Sequence, residues 1–311
     1  MEIKKHKVNP EGEQKILKCA GKAIEKEQMI KGGLILEGGG MRGIYTAGVL
    51  DYFLEQKLFF SDCYGVSAGA CHLCSYLSGQ KGRAYRVFVN YLKDKEYCSL
   101  RSLITTGDLF GAKMCYDTIP NKLDPYDYDA FTAYPGRAYA VVTNIMTGKA
   151  EYKPLREMHR DIIAVRASAS LPLISNNVYI DGIPYLDGGI ADSIPIIRSL
   201  KDGNKKNVII MTKEMGYRRK PTSHMEAIRI RYHKYPALVR DMARRHIAYN
   251  KTLDFIEEHE KKGHIFVIRP KVNPNVGRLE RDETKLKALY ETGYEDAKES
   301  LEDLKKYLNL S

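Results

Sequence analysis

The chain has 311 residues, room for about two domains or for one large α/β domain with an appendage. Hydrophobic residues make up 43% and charged residues 29%, a globular balance that excludes collagen-like, disordered and disulfide-scaffold classes. Fifty Lys and Arg against 39 Asp and Glu leave a net charge of +11, and no run of about 18 apolar residues is present to span a membrane. The opening MEIKKHKVNPEGEQK is charged and lacks the apolar stretch of a secretory signal, so a cytoplasmic location is expected. The six cysteines, at 19, 63, 71, 74, 98 and 115, fall mostly inside apolar patterns and are expected as reduced thiols. Cys71 and Cys74 form a C-x-x-C, but no second pair follows at zinc spacing. Two small apolar residues on a buried helix account for them better than a redox or metal pair.

In chain order, residues 11–29 have apolar positions at helical spacing and are expected to form an amphipathic leader helix within an N-terminal segment, 1–32. Gly33–Glu37 reads as a short buried strand, Gly38–Gly40 as a glycine loop and Gly43–Leu54 as a helix. Cys63–Val66 reads as a second strand and Ser67–Leu77 as a small-residue helix. Strand, glycine loop, helix, strand, tight turn, helix is the alternation of an α/β fold with a mostly parallel sheet flanked by helices. Further strands are expected at Arg137–Ile145, Ala150–Lys153, Asn207–Thr212 and His264–Arg269, and a helix at Met158–Ala169. Tyr179–Gly189 is turn-dense, with two Asp-Gly pairs. Long helical patterns occupy about 223–262, divided by Pro236, and 282–309. An α/β unit is therefore placed at 33–212. A basic, largely helical C-terminal region at 213–311 is expected to pack on it and to add one strand near 264–269.

Two glycine-rich turns carry the chemistry. Gly65-Val66-Ser67-Ala68-Gly69 stands between a strand and a helix. Its glycines permit a sharp turn that leaves the serine hydroxyl clear at a helix N-terminus, the setting of a nucleophile rather than of a simple helix cap. Gly38-Gly39-Gly40-Met41-Arg42-Gly43 also follows a strand, and its consecutive backbone N–H groups suit an anion such as an acyl-enzyme oxyanion. The same letters satisfy G-x-G-x-x-G, but the dinucleotide reading needs an acidic residue at the end of the second strand. Asp62 lies at its start, and the serine turn occupies the end. Ser67 needs a base. The downstream histidines, at 72, 159, 224, 233, 246, 259 and 264, mostly lie in charged helical patterns, which suits solvated or packed residues. Asp187, in Leu186-Asp187-Gly188-Gly189-Ile190, stands in a small loop from which a carboxylate can take the Ser67 proton directly. On these five residues alone, an ordinary turn aspartate is an equal reading.

Together GGGMRG at Gly38–Gly43, GVSAG at Gly65–Gly69 and DGG at Asp187–Gly189 resemble the patatin-like phospholipases, in order and in spacing. Ala167–Pro172 (ASASLP) resembles the segment that precedes the family's DGG loop, and the likeness is to the bacterial cytoplasmic branch over about residues 33–200. The resemblance implies a three-layer sandwich and a Ser67–Asp187 dyad without histidine. It implies an oxyanion hole from the glycine loop, Gly38, Gly39, Gly40, Arg42 and Gly43, with support from Gly65, Gly69, Gly188 and Gly189. Hydrolysis of lipid or lysophospholipid acyl esters follows, with no metal or organic cofactor. The chain departs from the family where it continues Asp192-Ser193-Ile194-Pro195 rather than with an Asn before the proline.

Two rival classes are a histidine-triad α/β-hydrolase, whose nucleophile usually follows several strands rather than two, and a non-enzymatic nucleotide- or nucleic-acid-binding module. Residues 213–251 hold eleven Lys or Arg against three acids, with Tyr217, Tyr232, Tyr235 and Tyr249 among them. Basic and aromatic residues together suit RNA or anionic lipid headgroups, and equally a solvated helix face. No nucleic-acid motif accompanies them, so peripheral contact with an anionic membrane is the expected use and no nucleic-acid partner is expected.

Overall fold

The computed structural model describes residues 29–310. The expected leader helix lies outside the described residues except for Met29. Strand β1 (Ile30–Leu36) leads through a single-turn helix at Gly40–Gly43 into α1 (Ile44–Glu55), and β2 (Phe60–Val66) leads into α2 (Ala68–Leu77). Helices α3 (Arg83–Val89) and α4 (Leu100–Thr106), a π-helical segment (Met114–Leu123) and α5 (Tyr128–Thr132) follow. Then come β3 (Arg137–Asn144), β4 (Ala150–Leu155), α6 (Met158–Ser168), β5 (Val178–Ile180), β6 (Ile183–Asp187), α7 (Ile196–Lys201) and β7 (Asn207–Ile210). The chain closes with α8 (Met225–Arg231), α9 (Pro236–Lys261), β8 (Phe266–Ile268), α10 (Glu283–Glu299) and α11 (Leu301–Leu308). Pro236 stands in the first turn of α9, where its missing N–H costs no hydrogen bond, so it separates α8 from α9 as expected.

The strands form one eight-stranded mixed sheet. β1 pairs in parallel with β2 and β7, β2 with β3, and β7 with β8, while β4 and β6 run antiparallel to β3. The central strands are buried on both faces, which explains their near-continuous apolar runs. The period of two sorts their side chains. Leu34 and Leu36 face a core closed by α1, α2 and α10, whereas Ile35, Tyr64 and Ile209 face Tyr249, Leu253 and Ile256 of α9. The architecture is therefore helices, sheet, helices, and the basic C-terminal region contributes to both outer layers.

Close helix crossing explains the docking of α10. A Cβ on Gly48 of α1 would lie 2.1 Å from the Tyr290 carbonyl oxygen, and one on Gly293 of α10 would lie 2.1 Å from that of Tyr45. Tyr45 then donates to Asp296 at 2.8 Å, and Tyr290 to Asp51 at 2.6 Å. The turn-dense stretch is the hairpin β5–β6. Asp181 and Gly182 both have positive φ (51° and 78°), the conformation that Asp-Gly supplies in a two-residue hairpin turn. No helix among the described residues is long and apolar enough to cross a membrane.

Candidate active site

Ser67 terminates β2 and opens α2 with φ 55° and ψ −125°, a strained conformation for a non-glycine residue that costs on the order of 1–3 kcal/mol. Its flanking glycines make the turn possible. A Cβ on Gly65 would lie 2.5 Å from Ala70 Cα, and one on Gly69 would lie 2.6 Å from the Leu36 carbonyl oxygen. The Ser67 carbonyl accepts from the amides of Ala70 and Cys71, so the residue also serves as the first turn of α2.

Ser67 Oγ donates to Asp187 Oδ2 at 2.5 Å, and both residues are buried. Asp187 ends β6, and its carboxylate is held from behind by the Gly189 amide on Oδ1 at 2.7 Å. Its backbone is fixed twice: the Asp187 N–H donates to the Ser170 carbonyl, and Thr143 Oγ1 donates to the Asp187 carbonyl, each at 2.8 Å. Gly188 passes so close to β3 that a Cβ would lie 2.0 Å from the Val141 carbonyl oxygen. Where the family places an asparagine, Ser193 Oγ donates to the Gly189 carbonyl at 2.7 Å, and Asp192 accepts from Tyr152 Oη at 2.7 Å.

Two further contributors lie outside the three glycine motifs. The segment 167–172 binds both ends of the pair: Ser168 Oγ, fully buried, accepts the Ser67 N–H at 2.9 Å, while the Ser170 carbonyl takes the Asp187 N–H. Arg245 of α9 donates through Nε to the Gly189 carbonyl, and its Nη2 would lie 2.9 Å from a Gly189 Cβ. Burial and then Arg219 push its guanidinium down to about 9, with Asp187 opposing the shift.

The glycine loop lies beside the serine. A Cβ on Gly38 would lie 2.7 Å from Ser67 Cβ, and one on Gly39 would press on Thr212. Gly40, at φ 58°, is backed by the Arg278 carbonyl, which also accepts the Met41 N–H at 3.0 Å. Gly43 sits where α1 begins against Ala68 and His72. Among the described residues, no acceptor pairs with the amide N–H of Gly38, Gly39 or Gly40.

From this point a largely apolar cavity of about 950 Å³, counted with its open end, extends away from Gly40, Met41, Ser67 and Ala68. Its walls include Cys71, Phe88, Phe110, Tyr116, Ile119 and Ile162. Much of this wall comes from 83–126. The C-x-x-C therefore lines the cavity as free thiols, and burial pushes Cys71 up to about 12.

No histidine among the described residues bonds Ser67 or Asp187. His72 is nearest in sequence, but its ring packs at a tilt against Phe88, with centroids 4.2 Å apart, and neither ring nitrogen has a partner among the described residues. Asp62 pairs with Arg137 at 2.6 Å and lies beside Gly33 in the sheet, at the opposite end of β2 from the glycine loop, so it grips no ribose there. Among the described residues no three His, Cys, Asp or Glu side chains converge as metal ligands. In the basic region, Arg218 pairs with Glu257 and Asp254, Arg229 with Glu226, and Arg240 with Asp241, while Arg219 stacks on Tyr249 at 3.8 Å. Arg218, Arg229 and Arg240 are thus already neutralised, and the other eight Lys and Arg of 213–251 form no ion pair among the described residues.

Residues 34–198 match the family model for patatin-like phospholipase, and residues 235–309 match a domain of unknown function, DUF6363. An uncharacterised Escherichia coli protein, YjjU, is 31% identical over 245 residues, covering 76% of this chain and 68% of its own length. A probable lipid hydrolase, 463L, of invertebrate iridescent virus 6 is 24% identical over 193 residues, covering 56% of this chain and 65% of its own. Among solved structures, VipD of Legionella pneumophila aligns over 88% of this chain and 67% of its own at 13% identity, with a TM-score of 0.44.

Proposed function

The chain belongs to the patatin-like phospholipase family, and on that premise we propose that it is a serine hydrolase of lipid acyl esters, phospholipid or lysophospholipid, working through a Ser67–Asp187 dyad. The observation that carries the reading is the Ser67 Oγ to Asp187 Oδ2 hydrogen bond at the end of a deep apolar cavity. A carboxylate in direct contact with the hydroxyl needs no intervening imidazole to take its proton.

As Ser67 Oγ attacks the ester carbonyl carbon, its proton passes to Asp187 and the carbonyl oxygen becomes an oxyanion. The unpaired amides of Gly38–Gly40 are the donors placed for that charge, with Arg42 and Gly43 framing the loop. Collapse expels the alcohol, which leaves with the proton from Asp187, and the acyl group stays on Ser67. Water then attacks the acyl-enzyme, Asp187 takes its proton, and the fatty acid departs as the serine is restored. The acyl chain occupies the apolar cavity that opens from Ser67. We take 33–212 as the catalytic unit and 213–311 as a helical region packed on it, and assign to exposed lysines and arginines of 213–251 a reversible contact with anionic lipid surfaces.

The test is a fluorophosphonate label on the wild-type chain and on Ser67→Ala, followed by acyl esters of graded chain length. Labelling and hydrolysis that both vanish in Ser67→Ala are expected, with rates rising as the chain fills the cavity. Labelling that survives at another serine refutes the assignment.

A further inference from the structure

Five cations are anchored beside the glycine loop and the Asp187 turn: Arg42 within the loop, Lys213 next to the Thr212 that abuts Gly39, Arg219 over Tyr249, Arg245 of α9 on the Gly189 carbonyl, and Arg278, before α10, whose carbonyl backs Gly40. Their side chains make no ion pair with a carboxylate among the described residues. Elsewhere the chain pairs its less exposed arginines: Arg83 with Asp124, Arg166 with Asp108 and Arg269 with Glu260. Of the nearby carboxylates, Glu37 is bonded to Thr212 and Tyr249 and Asp187 to Ser67 and Gly189, while Glu214, next to Lys213, forms no ion pair and leaves Oε2 buried without a partner among the described residues.

Two of these cations, Arg42 and Arg219, keep buried donors without acceptors among the described residues. Asn250 grips the Arg219 backbone from both sides, donating to its carbonyl at 3.1 Å and accepting its N–H at 2.8 Å. The Arg219 guanidinium rests 3.8 Å over Tyr249, yet its Nε and Nη1 have no acceptor among the described residues, nor has Arg42 Nε. Arg278 is tied by its carbonyl to the Met41 amide, and its exposed side chain makes no hydrogen bond or ion pair among the described residues. Burial first, and then the neighbouring cations, lower the proton affinity of Arg42, Lys213 and Arg245 against the opposing pull of Glu37, Glu214 and Asp187. A compact anion among them relieves that repulsion, and guanidinium forks match a tetrahedral oxyanion in bidentate fashion.

We propose that Lys213, Arg219 and Arg278, together with Arg42 and Arg245, form a binding site for a phosphate-class anion beside Ser67. The anion is either the phosphate of a lipid substrate whose acyl chain fills the cavity, which rests on the hydrolase reading, or free phosphate, which does not.

The experiment has two arms on the full chain. The first measures the Kd of inorganic phosphate by titration calorimetry for the wild type, Arg219→Gln, Arg278→Gln and the remote exposed control Lys201→Gln. Binding is expected in the wild type and control, weakened about tenfold or more in the two arginine variants. Arg219→Lys and Arg278→Lys, which keep the charge but lose the fork, serve if the glutamine variants melt early. The second arm compares kcat/KM for a 1-acyl glycerol 3-phosphate with that for the monoacylglycerol of the same chain, below their micellar concentrations. A preference for the phosphate lipid that collapses in the arginine variants identifies the headgroup as the ligand. Arginine-dependent phosphate binding with no such preference identifies free phosphate. Phosphate that fails to bind, or binds the arginine variants as well as the wild type, overturns the site. Intact phosphate binding with no hydrolysis of any ester overturns the hydrolase reading instead and leaves the anion site standing.

Discussion

Val66 and Asp187 pair with consecutive residues of the same strand, Val141 and Val142 of β3. Because β4 occupies the other edge of β3 along its length, β2 and β6 share one edge and meet end to end from opposite directions. That meeting brings Ser67, one residue beyond Val66, within 2.5 Å of a side chain 120 positions away. A one-residue slip of β6 on β3 would turn Asp187 to the opposite face of the sheet. The hydrogen bonds from Thr143 Oγ1 and to the Ser170 carbonyl pin that register.

From this pairing comes the sharpest prediction about the dyad. Asp187→Asn keeps the shape and a hydrogen-bonding partner for Ser67 but cannot take its proton. Turnover of an acyl ester is expected to fall by about 10²–10⁴, the usual contribution of a general base. Asp181→Asn, in the hairpin turn, is the control and leaves turnover near that of the wild type. Steady-state kinetics checks both. An Asp187→Asn enzyme within tenfold of the wild type would remove Asp187 from the mechanism.

Ser168 is expected to act as a positioning residue through the backbone of Ser67. Its hydroxyl is the acceptor of the Ser67 N–H, so it helps hold the strained turn. Ser168→Ala leaves that buried donor unpaired, at about 1–3 kcal/mol of stability. It should lower kcat about tenfold while KM stays the same, since no substrate contact is lost. A rise in KM at constant kcat would show instead that Ser168 touches substrate.

Gly38→Ala tests the glycine loop by its dimensions. The new methyl would stand 2.7 Å from Ser67 Cβ and 2.9 Å from the Val66 carbonyl oxygen, neither of them a flexible chain end. Displacing one oxyanion donor costs about 10²–10³ in turnover. Thermal melting separates this loss from unfolding: a variant that melts normally yet turns over normally shows that the amide is not a donor.

The parts of this site that the sequence disclosed are those where a local backbone requirement leaves a local signature. The turn at Ser67 needs glycine two positions before and two after, the loop beside it needs consecutive glycines, and the Asp187 loop needs Gly188 under Val141. The same holds for β1, α1, β2 and α2, whose apolar periods are short and clean. The cavity wall was not legible. Phe88, Phe110, Tyr116 and Ile119 face a cavity rather than a helical neighbour, and the π-helical segment carries Pro120 inside it, so neither period appears. Arg245 was equally hidden, as one of several cations on a charged helix whose partner, the Gly189 carbonyl, is 56 residues away in sequence. The hairpin β5–β6 read only as turns because β5 is three residues long and two Asp-Gly pairs dominate the stretch.

His72 predicts a pH dependence that has nothing to do with catalysis. Burial pushes its imidazole down to about 3 from the ordinary 6.5, and the ring meets Phe88 and the Gly43 turn. Between those values the unfolded chain binds a proton that the folded chain does not. The contribution of His72 is therefore whole above pH 6.5 and is lost as pH falls toward 3, by up to about 1.4 kcal/mol per pH unit. His72→Leu removes this slope, and at pH 7.5 is expected to gain about 1 kcal/mol, because both ring nitrogens lack partners among the described residues. Its ester hydrolysis is expected to persist. Denaturant melts at pH 7.5 and 5.5 measure the slope, and a variant as acid-labile as the wild type and devoid of activity would reinstate a histidine-dependent mechanism.

The lipid-surface contact of 213–251 now has a narrower chemical basis than the charge count alone. Arg218, Arg229 and Arg240 are neutralised by neighbouring carboxylates, and Arg219 and Arg245 belong to the active-site environment. Lys220, Arg231, Lys234, Arg244 and Lys251 are exposed and form no ion pair among the described residues. Ile230 and Ile247 stand exposed in the same region, at 75% and 48%. Each such cation near an anionic bilayer contributes on the order of 1 kcal/mol, falling off within a Debye length of about 8 Å at physiological salt. Vesicles rich in phosphatidylserine should therefore sediment the protein at low salt, release it at high salt, and retain much less of a variant with Lys220, Arg231 and Lys234 changed to Ser. Neutral phosphatidylcholine vesicles should retain little of either. Equal retention on both kinds of vesicle, or by the variant and the wild type, would make this a solvated face, leaving the anion site beside Ser67 to act on substrate delivered from solution.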